Sequence, residues 1–237
     1  MADPAASVPR GGPQHIPRPP IVRPGAPAPW AGLPADRLRP DAAALRDAFG
    51  RLGPAVPSPR AETVPLAAAV LAPCYEDAGE LHVVLTRRSP SLRVHSGEVA
   101  FPGGRQEPGE DLQSTARREA WEEVDLDPSS VEIVGELDHL STITSRSFIA
   151  PYVAVLPGSP VLRPNPSEVE AVLRVPFAEL LHPDVFREER WHLFGAERPI
   201  VFFELHGDTV WGATAAMLRQ LLGIVTGTLG RGQIDHD

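Results

Sequence analysis

The spacing of apolar residues changes along the chain, and each change marks an element. Leu45, Ala48, Phe49 and Leu52 recur at helical spacing behind Asp41, whose side chain can cap, so a short helix is predicted over 41–52, packed on a larger domain. From about Val64 the pattern becomes that of a mixed α/β domain. Strands are predicted at 64–72, 81–87, 98–101, 131–140, 148–156, 187–194 and 199–205, and helices at 111–124, 176–182 and 212–226. Pro176 suits the first turn of its helix and Pro183 ends it. Residues 199–205 read Pro-Ile-Val-Phe-Phe-Glu-Leu, the nearly continuous apolar run of a buried strand. Strands interleaved with a few helices predict an α/β fold, a mixed sheet with helices packed on its faces. No repeat of solenoid period is present.

Proline punctuates the other end of the chain. Half of the 28 prolines lie in the first 60 residues, and runs such as Pro17–Pro20 sustain neither a helix nor a central strand. Residues 1–36 are therefore expected to form a disordered or loosely docked tail, and 37–61 a short helix and linker. The folded domain is expected over 62–228, with a C-terminal tail over 229–237.

Composition narrows the chemistry. An apolar content of 42% fits a folded globular chain of 237 residues with one sizeable core. The longest apolar run, Val64 to Tyr75, falls short of the roughly 18 residues a membrane helix needs, and the first 30 residues lack the apolar stretch of a secretory signal. A cytoplasmic protein with no membrane partner is expected. One cysteine, Cys74, excludes a disulfide framework and a thiolate zinc cage, and reads as a small buried apolar residue. All 22 basic residues are arginine, which removes lysine Schiff-base chemistry and the lysine of a phosphate-binding P-loop. The net charge of −9, without a basic stripe, argues against nucleic-acid binding. An acidic chain that handles anionic substrates must draw local positive charge from arginine and a bound metal.

One stretch concentrates such chemistry. Residues 103–126 read GGRQEPGEDLQSTARREAWEEVDL, and on the predicted helix Glu119, Glu122 and Glu123 share one face at i, i+3 and i+4. Three carboxylates so close repel one another, and a hard divalent cation with oxygen preference turns that repulsion into binding. Gly103 and Gly104 follow a predicted strand and let the backbone approach metal or phosphate. Pro108-Gly109 signals a turn into the helix, where Arg118 can pair with Glu110 and orient both. Three glutamates alone would most simply be a solvated helix face. The full set of Gly104, Glu110, Arg118, Glu119, Glu122 and Glu123 recurs by chance on the order of once in 10⁵ such chains, which overturns that simpler reading.

These residues resemble the Nudix box, G-x5-E-x7-R-E-U-x-E-E-x-G-U, in which U is a bulky aliphatic residue; Leu126 supplies the last of these. Ala120 stands where the box has its first bulky aliphatic residue, and Asp125 where it has a glycine. The resemblance implies a Nudix fold, an α/β/α sandwich around a mixed β-sheet. It further implies hydrolysis of a nucleoside diphosphate linked to a second group, with Mg2+ or Mn2+ held by Glu119, Glu122 and Glu123 and by the carbonyl of Gly103. A carboxylate must take the proton of the attacking water, and Glu168, in the segment Asn165 to Glu170, is the candidate from a loop. Alternatively, Ser167 and Glu170 merely cap a turn there.

The segment directly upstream is similar to the second signature of the coenzyme A diphosphatase branch. Thr86, Arg88, Ser89, Arg93, Gly97 and Phe101-Pro102-Gly103-Gly104 carry that similarity, and Val210-Trp-Gly-Ala-Thr214 adds to it. The implied reaction cleaves coenzyme A, free or acylated, to adenosine 3′,5′-bisphosphate and 4′-phosphopantetheine. Arg87, Arg88 and Arg93, with Gly97, are the candidate substrate-binding residues, since guanidinium forks grip phosphate oxygens in pairs. An arginine that pairs with Glu98 or another acid would instead shape the loop. His95 and Trp211 read as structural. The alternatives are a hydrolase of ADP-ribose or an NAD-type dinucleotide, and a Nudix module that binds a nucleotide without turnover.

Overall fold

The computed structural model describes residues 9–58, 66–141 and 147–234. The starts of the expected domain and of its first strand, and the ends of both expected tails, lie outside them. In chain order the elements are β1 (Val22–Pro24), α1 (Ala42–Gly50), β2 (Leu66–Asp77), β3 (Glu80–Arg88), β4 (Val99–Ala100), β5 (Gly103–Arg105), α2 (Leu112–Val124), β6 (Glu132–Glu136), β7 (Leu140–Ser141), β8 (Ser147–Val155), β9 (Val169–Pro176), α3 (Phe177–Leu180), β10 (Phe186–Leu193), β11 (Ala196–Leu205), β12 (Asp208–Trp211) and α4 (Gly212–Thr226).

The main sheet runs β4-β3-β2-β8-β6, with β5 on β2, β7 on β8 and β9 on β3. Among the described residues only β2 and β8 pair in parallel, which makes the sheet mixed. Alternation sorts its side chains between two layers. Ala69, Leu71 and Tyr75 of β2 and Ala150, Tyr152 and Ala154 of β8 meet Ala116, Ala120 and Val124 of α2 on one face. Ala72 and Cys74 of β2 and Val153 and Val155 of β8 join Leu45 and Phe49 of α1 and Leu218, Leu221 and Leu222 of α4 on the other. Helices on both faces of a mixed sheet give the expected α/β/α arrangement of the Nudix fold. Cys74 is fully buried, and burial pushes its thiol well above the usual range.

A second, antiparallel sheet runs β1-β10-β11-β12. Its edge receives the proline-rich segment, for which a disordered or loosely docked tail is expected. Residues 9–36 dock along it: Arg10 bridges His206, Val22 pairs with Trp191, and Trp30 is only 2% exposed, with its ring 5.4 Å from Phe186 and 6.2 Å from Phe203. Proline forbids a helix and a central strand, but it permits an edge strand and an apolar anchor, which need few of its missing N–H groups.

Three expectations change. The predicted strand at 131–140 breaks into β6 and β7, because Leu137 and Asp138 turn inward to the core. The predicted helix at 176–182 is a single turn, and β9 before it, assigned to no element from the sequence, pairs with β3 over most of its length. The strand at 98–101 shortens to β4, with the glycine strand β5 following it.

Candidate active site

Helix α2 is fixed at both ends. Asp111 caps it by accepting the Ser114 N–H at 2.7 Å, and Asp125 closes it in the left-handed conformation at φ 59. Asp125 thus takes the conformation a glycine would take, which its short polar side chain tolerates. Ala120 is fully buried in the layer between α2 and the sheet. Neither departure from the Nudix box disturbs the acidic face.

Beneath that face, β3 and β5 take opposite ends of the same edge of β2, since β8 fills the other edge. The Gly103-Gly104 backbone therefore runs directly under α2. A Cβ on Gly104 would lie 2.4 Å from Oε1 of Glu119, and one on Gly103 would lie 2.4 Å from the Ala69 carbonyl oxygen. Glycine is required at Gly103, where backbone blocks a side chain, while at Gly104 a side chain would displace the Glu119 carboxylate.

Arg118 organises the carboxylates. Its Nε and Nη2 donate to the two oxygens of Glu110 at 3.0 and 3.1 Å, and Nη2 also donates to the Arg105 carbonyl at 3.0 Å. Its Nη1 donates to Glu119 at 3.0 Å and to Glu122 at 2.9 Å. Glu123 lies deepest, 2% exposed, accepts the Gly103 N–H at 3.2 Å and stands 3.7 Å from Nη1 of Arg88. Burial pushes the Glu123 carboxyl up to about 7; Arg88 and the Gly103 N–H pull it back, and the charges of Glu119 and Glu168 push it further up. Burial also raises Glu119, against the hydrogen bond from Arg118 and with repulsion from Glu122 and Glu168. In both, burial disfavours the charged form, and the arginine beside each offsets only part of that cost.

Whether these residues fit a cation turns on donor chemistry. The donors are all carboxylate or carbonyl oxygens, as a hard divalent ion requires, and the glycine gap lets a backbone carbonyl come close. Among the described residues, no three acidic or imidazole groups converge to form a cation site. The hydrogen bonds give the reason: one guanidinium nitrogen holds Glu119 and Glu122 together, while Glu123 turns to the Gly103 N–H. The chemistry fits, and seating a cation requires these side chains to turn from Arg118 toward it.

The arginines predicted upstream separate. Thr86, Arg87 and Arg88 end β3, where the register with β9 shifts between Arg87 and Arg88. Arg88 faces Glu123, and its Nε is buried without a hydrogen-bond partner among the described residues. Arg87 instead grips Asp208 with Nε at 2.8 Å and Nη2 at 2.9 Å, with Glu170 at 3.8 Å. The fork of Arg87, expected to bind substrate, is thus engaged by a buried carboxylate. Arg93 lies exposed on the loop between β3 and β4, and Gly97 takes a left-handed turn at φ 71 with its N–H on the Arg88 carbonyl at 3.1 Å. His95 pairs with Glu98 at 2.9 Å, and Trp211 stands at the N-terminal boundary of α4 without a side-chain capping bond.

Glu168 reaches the cluster electrostatically, raising both Glu119 and Glu123. Its carbonyl accepts the Ser89 N–H at 2.7 Å, so its segment is tied to the base of the upstream loop. Ser167 bonds Asn165 through N–H and hydroxyl, and Glu170 lies near Arg87, so these two do not cap each other. Sequence reasoning missed Asp208, Gln14 and Thr115. Thr115 donates to Glu110 at 2.7 Å and follows the helix cap by i+4, a signal that was legible. Asp208 and Gln14 are remote in sequence and carried none.

The Glu110–Arg118 pair yields a pH prediction. Arg118 holds the Glu110 carboxyl down to about 2, with further help from Thr115 and the Glu107 N–H, against an ordinary 4.5. A depressed carboxyl stabilises the fold above its unfolded value, and the contribution fades as pH falls through about 2. Glu110→Gln is therefore expected to cost on the order of 2 kcal/mol at pH 7. Denaturant melts should show the gap to wild type narrowing from pH 4.5 to pH 3; a gap independent of pH would refute the charge-based account.

Residues 65–194 match the NUDIX domain. The chain is 41% identical over 170 residues to Nudix hydrolase 22, chloroplastic, of Arabidopsis thaliana, covering 68% of this chain and 56% of the relative. It is 35% identical over 140 residues to the Nudix hydrolase NudL of Photorhabdus laumondii, covering 59% of this chain and 74% of the relative. This chain thus spans little more than half the length of the plant relative. Among solved structures, a MutT/nudix family protein from Enterococcus faecalis aligns with a TM-score of 0.48 at 15% identity, covering 76% of this chain and 72% of that one. No helix among the described residues is long and apolar enough to cross a membrane.

Proposed function

The chain belongs to the Nudix family, and from that premise we propose that it is a Mg2+- or Mn2+-dependent diphosphatase that cleaves coenzyme A to adenosine 3′,5′-bisphosphate and 4′-phosphopantetheine. The observation that carries the reading is the acidic face of α2 set against the Gly103-Gly104 backbone, with Arg88 entering from β3. When bound, the divalent ion would supply positive charge to the diphosphate and lower the pKa of a coordinated water. Glu119, Glu122, Glu123 and the Gly103 carbonyl are the residues to hold it.

The remaining roles fall to the chain's own side chains. Arg88 has a buried Nε–H in need of an acceptor, which a phosphate oxygen provides. Arg93, exposed on the loop, is the second arginine available to a substrate bearing a 3′-phosphate. Glu168 adds negative charge beside the cluster and accepts the proton of the attacking water. Glu110 and Arg118 orient the cluster without reacting. The one cysteine, buried and free, is consistent with a reducing, cytoplasmic location within the same reading.

Product analysis on a substrate panel tests the specificity. Coenzyme A with Mg2+ or Mn2+ should give the two named products, and a chelator should abolish their formation. Efficient cleavage of ADP-ribose or an NAD-type dinucleotide with coenzyme A left intact would overturn the coenzyme A assignment. Tight nucleotide binding with no cleavage of any member would favour a binding module.

A further inference from the structure

The docked N-terminal segment does more than cover the second sheet. Residues 9–14 lie along the turn between β11 and β12. The Gly207 N–H donates to the Pro9 carbonyl at 3.1 Å, the Gly11 N–H to the Leu205 carbonyl at 2.8 Å, and the Gly12 N–H to the Thr209 hydroxyl at 3.0 Å. Arg10 fastens the segment to Glu179 at 2.5 Å. Gly12 passes so close that a Cβ there would stand 2.6 Å from both the Gly207 carbonyl oxygen and Cα of Asp208. Only glycine allows this approach, and it sets the next side chains against the loop that enters the candidate active site.

Gln14 occupies that position with its whole amide engaged. Its Oε1 accepts the Thr209 N–H at 2.8 Å, and its Nε2 donates to Asp208 at 2.8 Å and to the Gly97 carbonyl at 3.2 Å. Each partner leads back to the site. Asp208 is the buried carboxylate gripped by Arg87, so Gln14 and Arg87 share one acceptor group. Gly97 returns its N–H to the Arg88 carbonyl, and Arg88 faces Glu123. The loop from Ser89 to Glu98 is thus closed at its base by Arg88 and held near its end by a residue some eighty positions upstream.

We propose that Gln14 is a positioning residue for substrate binding: its side-chain amide ties the 89–98 loop, through the Gly97 carbonyl, to the Asp208 carboxylate that fixes Arg87. The proposal deepens the coenzyme A reading and rests on it, since that reading assigns the loop to the substrate. An amide suits the task because one group must donate to a carboxylate and a carbonyl and also accept from an N–H. A carboxylate at this position keeps the acceptor, loses both donors and adds repulsion toward Asp208.

Full-length Gln14→Ala and Gln14→Glu variants test this with two readouts. The first is steady-state kinetics on coenzyme A: Gln14→Ala should raise KM about tenfold with kcat within about twofold, and Gln14→Glu should raise KM further. The second is amide hydrogen exchange of residues 91–97, which needs no substrate and should speed up at least about tenfold in both variants. Unchanged exchange in the loop, or a fall in kcat that tracks lowered thermal stability with KM constant, would overturn the positioning role. If wild type fails to cleave coenzyme A while the loop exchange responds as expected, the substrate assignment falls and the tie between Gln14 and the loop stands.

Discussion

Glu122→Gln is expected to lower turnover at least ~100-fold while the protein folds as before, a loss of about 2.7 kcal/mol in transition-state stabilisation. The expectation follows from where the side chain sits. Glu122 is half-exposed, at the rim of the acidic face, and its hydrogen bond is to Nη1 of Arg118 at 2.9 Å. Arg118 keeps its paired bonds to Glu110 without Glu122, so the helix and its brace survive the change. What the variant loses is a charged oxygen donor on the face proposed to hold the cation. A neutral amide binds a hard ion more weakly, so the activating concentration of Mg2+ or Mn2+ should rise together with the fall in kcat. Wild-type turnover at every metal concentration would remove Glu122 from the proposed cation site.

The largest expected effect on stability lies far from that chemistry. Asp138 is fully buried and accepts from four groups: the Val56 N–H at 2.9 Å, the Gly232 N–H at 2.7 Å, the Gln220 amide at 2.5 Å and Arg231 at 3.3 Å. It thereby joins the linker after α1, the last helix and the C-terminal segment to the main sheet. Arg231 extends the junction to the carbonyls of Gly53 and Glu136. Asp138→Ala takes the acceptor from the buried Gln220 amide and from the Val56 and Gly232 N–H groups, and removes the carboxylate beside the Arg231 guanidinium. Removing one member of such a set costs on the order of 3–5 kcal/mol. For a chain of this size that is roughly 10 °C in Tm. Asp138→Asn, which keeps one acceptor oxygen, should fall between Ala and wild type in thermal melts. A loss below about 1 kcal/mol for Asp138→Ala would mean that water or side-chain rearrangement satisfies these donors.

The same contrast between local and remote contacts explains what could be read in advance. The acidic face of α2 was legible because helical periodicity fixes which side chains share a face over five residues, from Glu119 to Glu123. The pairing of Arg118 with Glu110 was legible for a like reason, since partners eight residues apart are joined by one turn and one helix. The two arginines that end β3 were legible as a pair but not as individuals. Which one meets Glu123 and which one meets Asp208 depends on the pleat of β3 and the register shift beside it.

By itself, then, the sequence determined the α/β class, helices α1, α2 and α4, and the identity of the acidic trio, because each rests on contacts within one or two turns of chain. Only the tertiary structure decided that the proline-rich segment docks, that Gln14 meets Gly97, and that Asp138 gathers three distant segments. Those contacts join residues up to nearly two hundred positions apart, and local patterning carries no information about them. Strand pairing and burial select them from many partners of similar chemistry.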